Sequence, residues 1–186
     1  MKIILALIIV VLIAGCIGPE ENVKQLTEYK LKYFNTTLNF RGNLNEAREV
    51  PVFPNETVLL KALTSPYTQR IVIAFIDNPD ENSYYAAAAF QLSFDLTVFH
   101  NANFPNRVVK AFNVSSIDEA RNVADEKVPV IMLAGPSITN KTAVTVEDYF
   151  ILLEGKDLSE VDRVYTDLDL ASAKLLLTLL ESNNYR

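Results

Sequence analysis

A chain of 186 residues with 49% apolar side chains and 5 glycines has the material for one ordinary core, and it is excluded from the disordered and collagen-like classes. Its 17 basic residues stand against 23 acidic ones, a formal net charge of −6, so charge draws it neither to nucleic acid nor to anionic headgroups. With one cysteine and one histidine, an internal disulfide, a Cys or His zinc cluster and a Cys-His catalytic pair are all excluded.

Residues 1–15 carry one basic side chain, Lys2, followed by an unbroken apolar run from Ile3 to Ala14, the layout of a signal peptide. A spanning helix needs about 20 apolar residues, and Gly18, Pro19, Glu20 and Glu21 end this run well short of that. The stretch Ile13-Ala14-Gly15-Cys16 resembles the lipobox of secreted lipoproteins, with Ile13 where leucine is usual. That resemblance implies lipidation of Cys16, a short tether over 16–23 and a domain over 24–186, held at the extracytoplasmic face of the cell membrane. Two acyl chains on one residue anchor a protein durably without a basic patch. Acylation also accounts for the solitude of Cys16.

Val23, Leu26, Tyr29 and Tyr33 recur at helical spacing, and Asn35 to Asn45 reads as a turn-rich extended stretch holding Leu38 and Phe40. Pro51 and Pro54 keep residues 50–54 extended, after which Asn55 caps a short helix through Leu63. Ile71 to Ile76 is a buried strand bounded by the turn Asp77-Asn78-Pro79-Asp80. Phe90, Leu92, Phe94, Leu96 and Val98 alternate with polar residues, which predicts a strand with one wet face, although Ala86 to Ala89 favour a helix locally.

Arg107 to Val114 reads as a strand, Ser116 and Glu119 as a capping box opening a helix with Ile117, Ala120, Val123 and Ala124 on one side, and Val128 to Ala134 as a strand. This β-α-β unit over 107–134 should pair its strands in parallel, directly or with another strand between them. Residues 143–154 form a hairpin turning at Asp148-Tyr149. Thr166 and Asp169 cap a C-terminal helix, Asp167 to Glu181, whose leucines on nearly every face call for deep packing. The predicted fold class is α/β, a mixed β-sheet packed with helices.

Gly135-Pro136-Ser137-Ile138-Thr139-Asn140-Lys141-Thr142 approaches the phosphate-loop pattern, but Asn140 replaces its second glycine, Pro136 has no N–H, and strand-like residues follow where a helix must start. The loop does follow a parallel strand, where open α/β sheets present ligand sites, so Ser137, Thr139, Asn140 and Thr142 are candidate hydrogen-bonders. With no charge cluster to set a substrate class, an ordinary polar connection is the preferred reading. Asp77, Asn78, Asp80, Glu81 and Asn82 gather oxygens suited to calcium without EF-hand spacing, and a solvated turn explains them. His100 has no nucleophile elbow to accompany it and reads as a surface or turn residue. Asp157, Glu160, Asp162, Asp167 and Asp169 read as a solvated face with helix caps, although paired carboxylates also hydrolyse glycosides. Asn35, Asn55, Asn113 and Asn140 open sequons for N-glycosylation.

The runs 38–47 (LNFRGNLNEA), 50–54 (VPVFP) and 165–171 (YTDLDLA) resemble stretches of archaeal surface lipoproteins with no assigned activity. The resemblance implies an archaeal surface location and carries over no functional residue. Neither catalytic residues nor a cofactor are expected. The favoured role is a non-catalytic binding or assembly module meeting a surface protein or a glycan. A surface hydrolase using paired carboxylates is the alternative, and a transport accessory protein a third.

Overall fold

The computed structural model describes residues 30–33, 36–104, 106–159 and 164–183. Cys16, the signal peptide, the tether, Asn35, Glu160 and Asp162 lie outside the described residues. Eight strands and five helices follow one another: β1 (Lys30–Tyr33), β2 (Thr36–Asn39), α1 (Leu44–Glu49), β3 (Val52–Phe53), α2 (Glu56–Thr64), β4 (Arg70–Ile76), α3 (Asn82–Asn103), β5 (Val108–Val114), α4 (Ile117–Val123), β6 (Val130–Ala134), β7 (Ala143–Glu147), β8 (Phe150–Glu154) and α5 (Asp167–Asn183). Among them no helix is long and apolar enough to cross a membrane.

Six strands form one mixed sheet in the order β3-β7-β8-β6-β4-β5, and β1 pairs with β2 as a separate antiparallel hairpin. β4 is parallel to both β5 and β6, with Ile73 opposite Ala111 on one side and Ile131 on the other. The two strands of the β-α-β unit are therefore parallel with β4 between them, one of the two arrangements the sequence allowed. β6 is parallel to β8, whereas β7 runs antiparallel to β8 through a two-residue turn in which Asp148 takes φ 54°. Short polar residues such as Asp tolerate that left-handed conformation better than most.

The sheet's two faces are covered unequally. Ile71, Ile73, Ile131, Val144 and Leu153 pack against α1, α2, α3 and α5 in the larger core, while Val72, Ala74, Val130, Met132 and Phe150 form a smaller one with Ala120 and Ile117 of α4 and the flanking Val128 and Ile138. α5 explains its many leucines: it touches α1, α2 and α3 as well as β7 and β8, so almost every one of its faces is buried. Its start is fixed by a reciprocal cap. The Thr166 hydroxyl accepts the Asp169 N–H at 3.1 Å, and Asp169 Oδ2 accepts the Thr166 N–H at 2.9 Å.

Several expectations are corrected. Residues 90–98 are not a strand but the middle of the 22-residue α3. Leu92, Leu96 and Phe99 recur at helical spacing and are buried, while Phe90 and Phe94 of the apparent alternation lie on the wet side. Of the helix expected over 23–33, the described part, 30–33, is strand β1. The extended stretch expected over 35–45 contains β2, but its last two residues, Leu44 and Asn45, open α1, because the Asn43 side chain accepts the N–H groups of Asn45 and Glu46 and caps the turn. His100 belongs to α3 and is fully buried, so it is neither a surface nor a turn residue. Val123 is half exposed and leaves the apolar side assigned to it. Asn55 does cap α2, accepting the Val58 N–H at 3.1 Å.

Candidate functional site

In an open α/β sheet, ligands gather where successive crossovers leave a strand's carboxyl end in opposite directions. That point falls at β4 and β6. The chain leaving β4 crosses through α3 to β5, whereas the chain leaving β6 runs the opposite way across the sheet, to β7 and β8. The crest at the ends of β4 and β6 is built from residues 77–85 after β4 and 135–142 after β6, with Glu154 at the end of β8 and Asp167 at the start of α5 beside it.

Glu81 is the centre of this crest. It occupies the position just before α3 but makes no side-chain cap bond there, because its carboxylate turns inward. Oε1 accepts the Ser137 N–H at 2.9 Å, and Oε2 accepts the Ser137 hydroxyl at 2.9 Å together with the Tyr85 hydroxyl. Tyr85, one helical turn later, accepts the Gly135 N–H at 2.9 Å. Burial first, and the Glu81 carboxylate second, push the Tyr85 phenol up to about 12, so it stays protonated and donating. Gly135 is required by closeness: a Cβ there would stand 2.5 Å from Glu81 Oε2 and 2.9 Å from the Tyr85 oxygen.

The rest of the loop is fastened the same way. Thr139 donates its hydroxyl to Glu154 Oε1 at 2.9 Å, while Oε2 takes the Thr145 hydroxyl at 2.6 Å and the Lys141 ammonium at 3.1 Å. Thr142 donates to Asp167 Oδ2 at 2.6 Å. The N–H groups of Ile138 and Thr139 both turn back to the Gly135 carbonyl, at 2.9 and 3.0 Å. Three of the four loop residues proposed as hydrogen-bonders are thus already bonded within the protein, and Asn140 is exposed. A phosphate would find no cradle of free amides, and β7, not a helix, follows the loop.

The oxygen-rich turn before α3 is bonded internally as well. Asp77 Oδ1 accepts from Asn82 Nδ2 at 2.6 Å, Asn82 Oδ1 accepts the Asn78 N–H at 3.0 Å, and Asn78 Oδ1 accepts the Asp80 N–H at 3.2 Å. Glu81, counted among the calcium-type oxygens by sequence, faces away from them. Among the described residues no cluster of three His, Cys, Asp or Glu side chains is placed to hold a metal ion. In the acidic stretch, Asp167 and Asp169 are buried rather than solvated, Asp169 being paired with Arg41 at 3.0 Å, whereas Asp157 remains exposed. Asn55, Asn113 and Asn140 are exposed, as glycan acceptors must be.

Sequence reasoning missed Tyr85 and Glu154. The spacing of Tyr85, four residues after Glu81 at a helix start, was the one available signal.

Away from the crest, α3 and the edge strand β5 share an open apolar groove of about 360 Å³ lined by Phe75, Ala86, Ala89, Phe90, Ala111 and Phe112, among others. Phe90 is 76% exposed, Phe94 53%, Val108 46% and Phe112 43%. Large apolar groups crowded on a water-facing surface mark a binding site more often than isolated ones do. Fold and site together define an α/β domain with an internally bonded crest and an exposed aromatic groove. No family model, no curated protein and no solved structure matches this chain.

Proposed function

We propose that the protein is a lipid-anchored extracytoplasmic module that binds rather than catalyses, the lipid being carried by Cys16. The observation that carries the binding half is the groove between α3 and β5, lined by the largely exposed Phe90 and by Phe112, with Phe94 exposed one turn further along α3. Hydrolysis by paired carboxylates draws no support from the crest. Glu81, Glu154 and Asp167 each accept hydroxyl or amide hydrogens from the loop they hold, and general acid-base work needs a carboxylate open to substrate. The lipobox-like Ile13-Ala14-Gly15-Cys16 and the resemblance to archaeal surface lipoproteins support the anchoring half.

Intact mass spectrometry of the full chain made in a lipoprotein-processing host tests the anchor. The expected product begins at Cys16 and carries acyl mass. Recovery of Met1 at the N-terminus, or of Cys16 as a free thiol, sinks the reading.

A further inference from the structure

We infer that the α3–β5 groove docks on the lipid bilayer itself, so that the anchored domain lies with the outer face of α3 against the membrane interface. The inference rests on the lipid anchor at Cys16 and names what the exposed groove meets.

Three observations converge. Phe90 and Phe94 stand one turn apart on α3 and project from it, and Ala111 continues the groove's apolar lining onto β5. The residues lining the groove carry no charge, in a chain with 23 acidic side chains. A neutral aromatic surface suits the boundary between acyl chains and headgroups.

The third observation is where the chain enters. Lys30, at the start of β1, pairs with Asn39, and the Asn39 carbonyl accepts Gln91 Nε2 at 2.7 Å. Gln91 follows Phe90 directly, so the segment that would bear the lipid joins the fold on the flank of the same helix. About 14 residues separate Cys16 from Lys30, which limits the link to roughly 50 Å at full extension. A link of that length lets this side of the domain reach the bilayer, with the chain entering the fold beside Gln91.

The depth of docking follows from β5. It pairs with β4 alone, so the N–H and C=O groups of its outer edge need water or headgroups. Hydrocarbon supplies neither, and the groove therefore rests at the interface rather than in the membrane core.

The chain contains no tryptophan, so Phe94→Trp, with Phe90→Trp as its repeat, introduces a sole indole as a depth probe. Full-length lipid-bearing protein is reconstituted into phosphatidylcholine vesicles whose acyl chains are brominated. Phe53→Trp, on the strand at the opposite edge of the sheet, is the comparison. The indole of Phe94→Trp should emit blue-shifted light and lose roughly half or more of it to bromine, as expected for a ring 5–10 Å inside the interface, while that of Phe53→Trp keeps its emission. Equal quenching at both positions means no fixed orientation and overturns the inference. An unquenched but blue-shifted indole at Phe94 means that a second copy covers the groove, which also overturns it, as does an unquenched indole in water. Intact mass separates the two levels: a protein without acyl mass on Cys16 brings down the anchor and the docking together. A lipid-bearing protein with a glycan on Asn113, at the groove's rim, or with an unquenched Phe94→Trp indole, loses the docking alone.

Discussion

Ser137 gives both its N–H and its hydroxyl to the two oxygens of Glu81, each at 2.9 Å, and so clamps the loop after β6 to the start of α3. Glu81→Ala removes the acceptor for three donors at once, including the Tyr85 hydroxyl. Leaving buried donors unmatched should lower stability by about 2–4 kcal/mol, against about 1 kcal/mol for Ser137→Ala, which deletes one bond and keeps the amide contact. Urea unfolding with an unchanged m-value checks this. Equal costs for the two variants would remove Glu81 from the centre of the crest.

Two glycines separate a yielding neighbour from a rigid one. A Cβ on Gly135 meets the carboxylate of Glu81, whereas a Cβ on Gly155 meets the backbone of Leu168, 2.5 Å from its nitrogen and 2.9 Å from its Cα. Gly155→Ala must displace the first turn of α5 and should cost about 3 kcal/mol, more than Gly135→Ala at about 1–2 kcal/mol. Thermal unfolding of the two variants ranks them.

Asp95 and His100 are fully buried on α3, and each has one atom, Oδ1 and Nε2, without a hydrogen-bond partner. Burial raises the Asp95 carboxyl to about 6, partly offset by the Gln91 amide bonded to it. Burial, followed by the nearby Arg107 charge, lowers His100 to about 4. Folded Asp95 holds its proton more tightly than the unfolded chain, so its contribution falls as pH rises from about 4 to 6, by about 3 kcal/mol. Folded His100 releases its proton more readily, so its contribution rises by a similar amount between about pH 4 and 6.5.

The two slopes oppose, and the protein's own stability should vary little over that window from these groups. Asp95→Asn should uncover stability that climbs with pH, and His100→Gln stability that declines with it. Denaturation midpoints at four pH values from 4 to 7 read the signs directly. Parallel profiles for the two variants would contradict the assignment.

Phe94→Ser is expected to leave the unfolding midpoint within about 0.5 kcal/mol of the parent, since the ring is already mostly in water. A loss of 2 kcal/mol or more, the scale of a core truncation, would show that the ring belongs to the core rather than to a docking surface. Calorimetry of the variant without lipid distinguishes these.

The alternation from Phe90 to Val98 predicted a strand because apolar residues stood at every second position. α3 reconciles the pattern by burying Leu92 and Leu96 and exposing Phe90 and Phe94. The misreading and the candidate docking surface thus have the same origin, apolar side chains placed where a helix normally shows polar ones. At the crest, Ser137, Thr139 and Thr142 were legible as hydrogen-bonders, but their partners were not. Glu81 and Glu154 lie 56 and 15 residues from them in sequence.

Local chemistry settled much of this protein before folding is considered. Asn55, Ser116 and Thr166 announce helix starts, the β-branched run Ile71 to Ile76 announces a strand, and the strand-helix-strand rhythm of 107–134 announces an α/β sheet, because caps, alternation and crossover handedness act over a few residues or one connection. Only the tertiary structure decided that β4 lies between β5 and β6, that His100 and Asp95 are buried, and that the carboxylates of Glu81, Glu154 and Asp167 turn inward. Those outcomes depend on which surfaces exclude water together, and residues far apart in the chain share that burial without any pattern that spacing alone could carry.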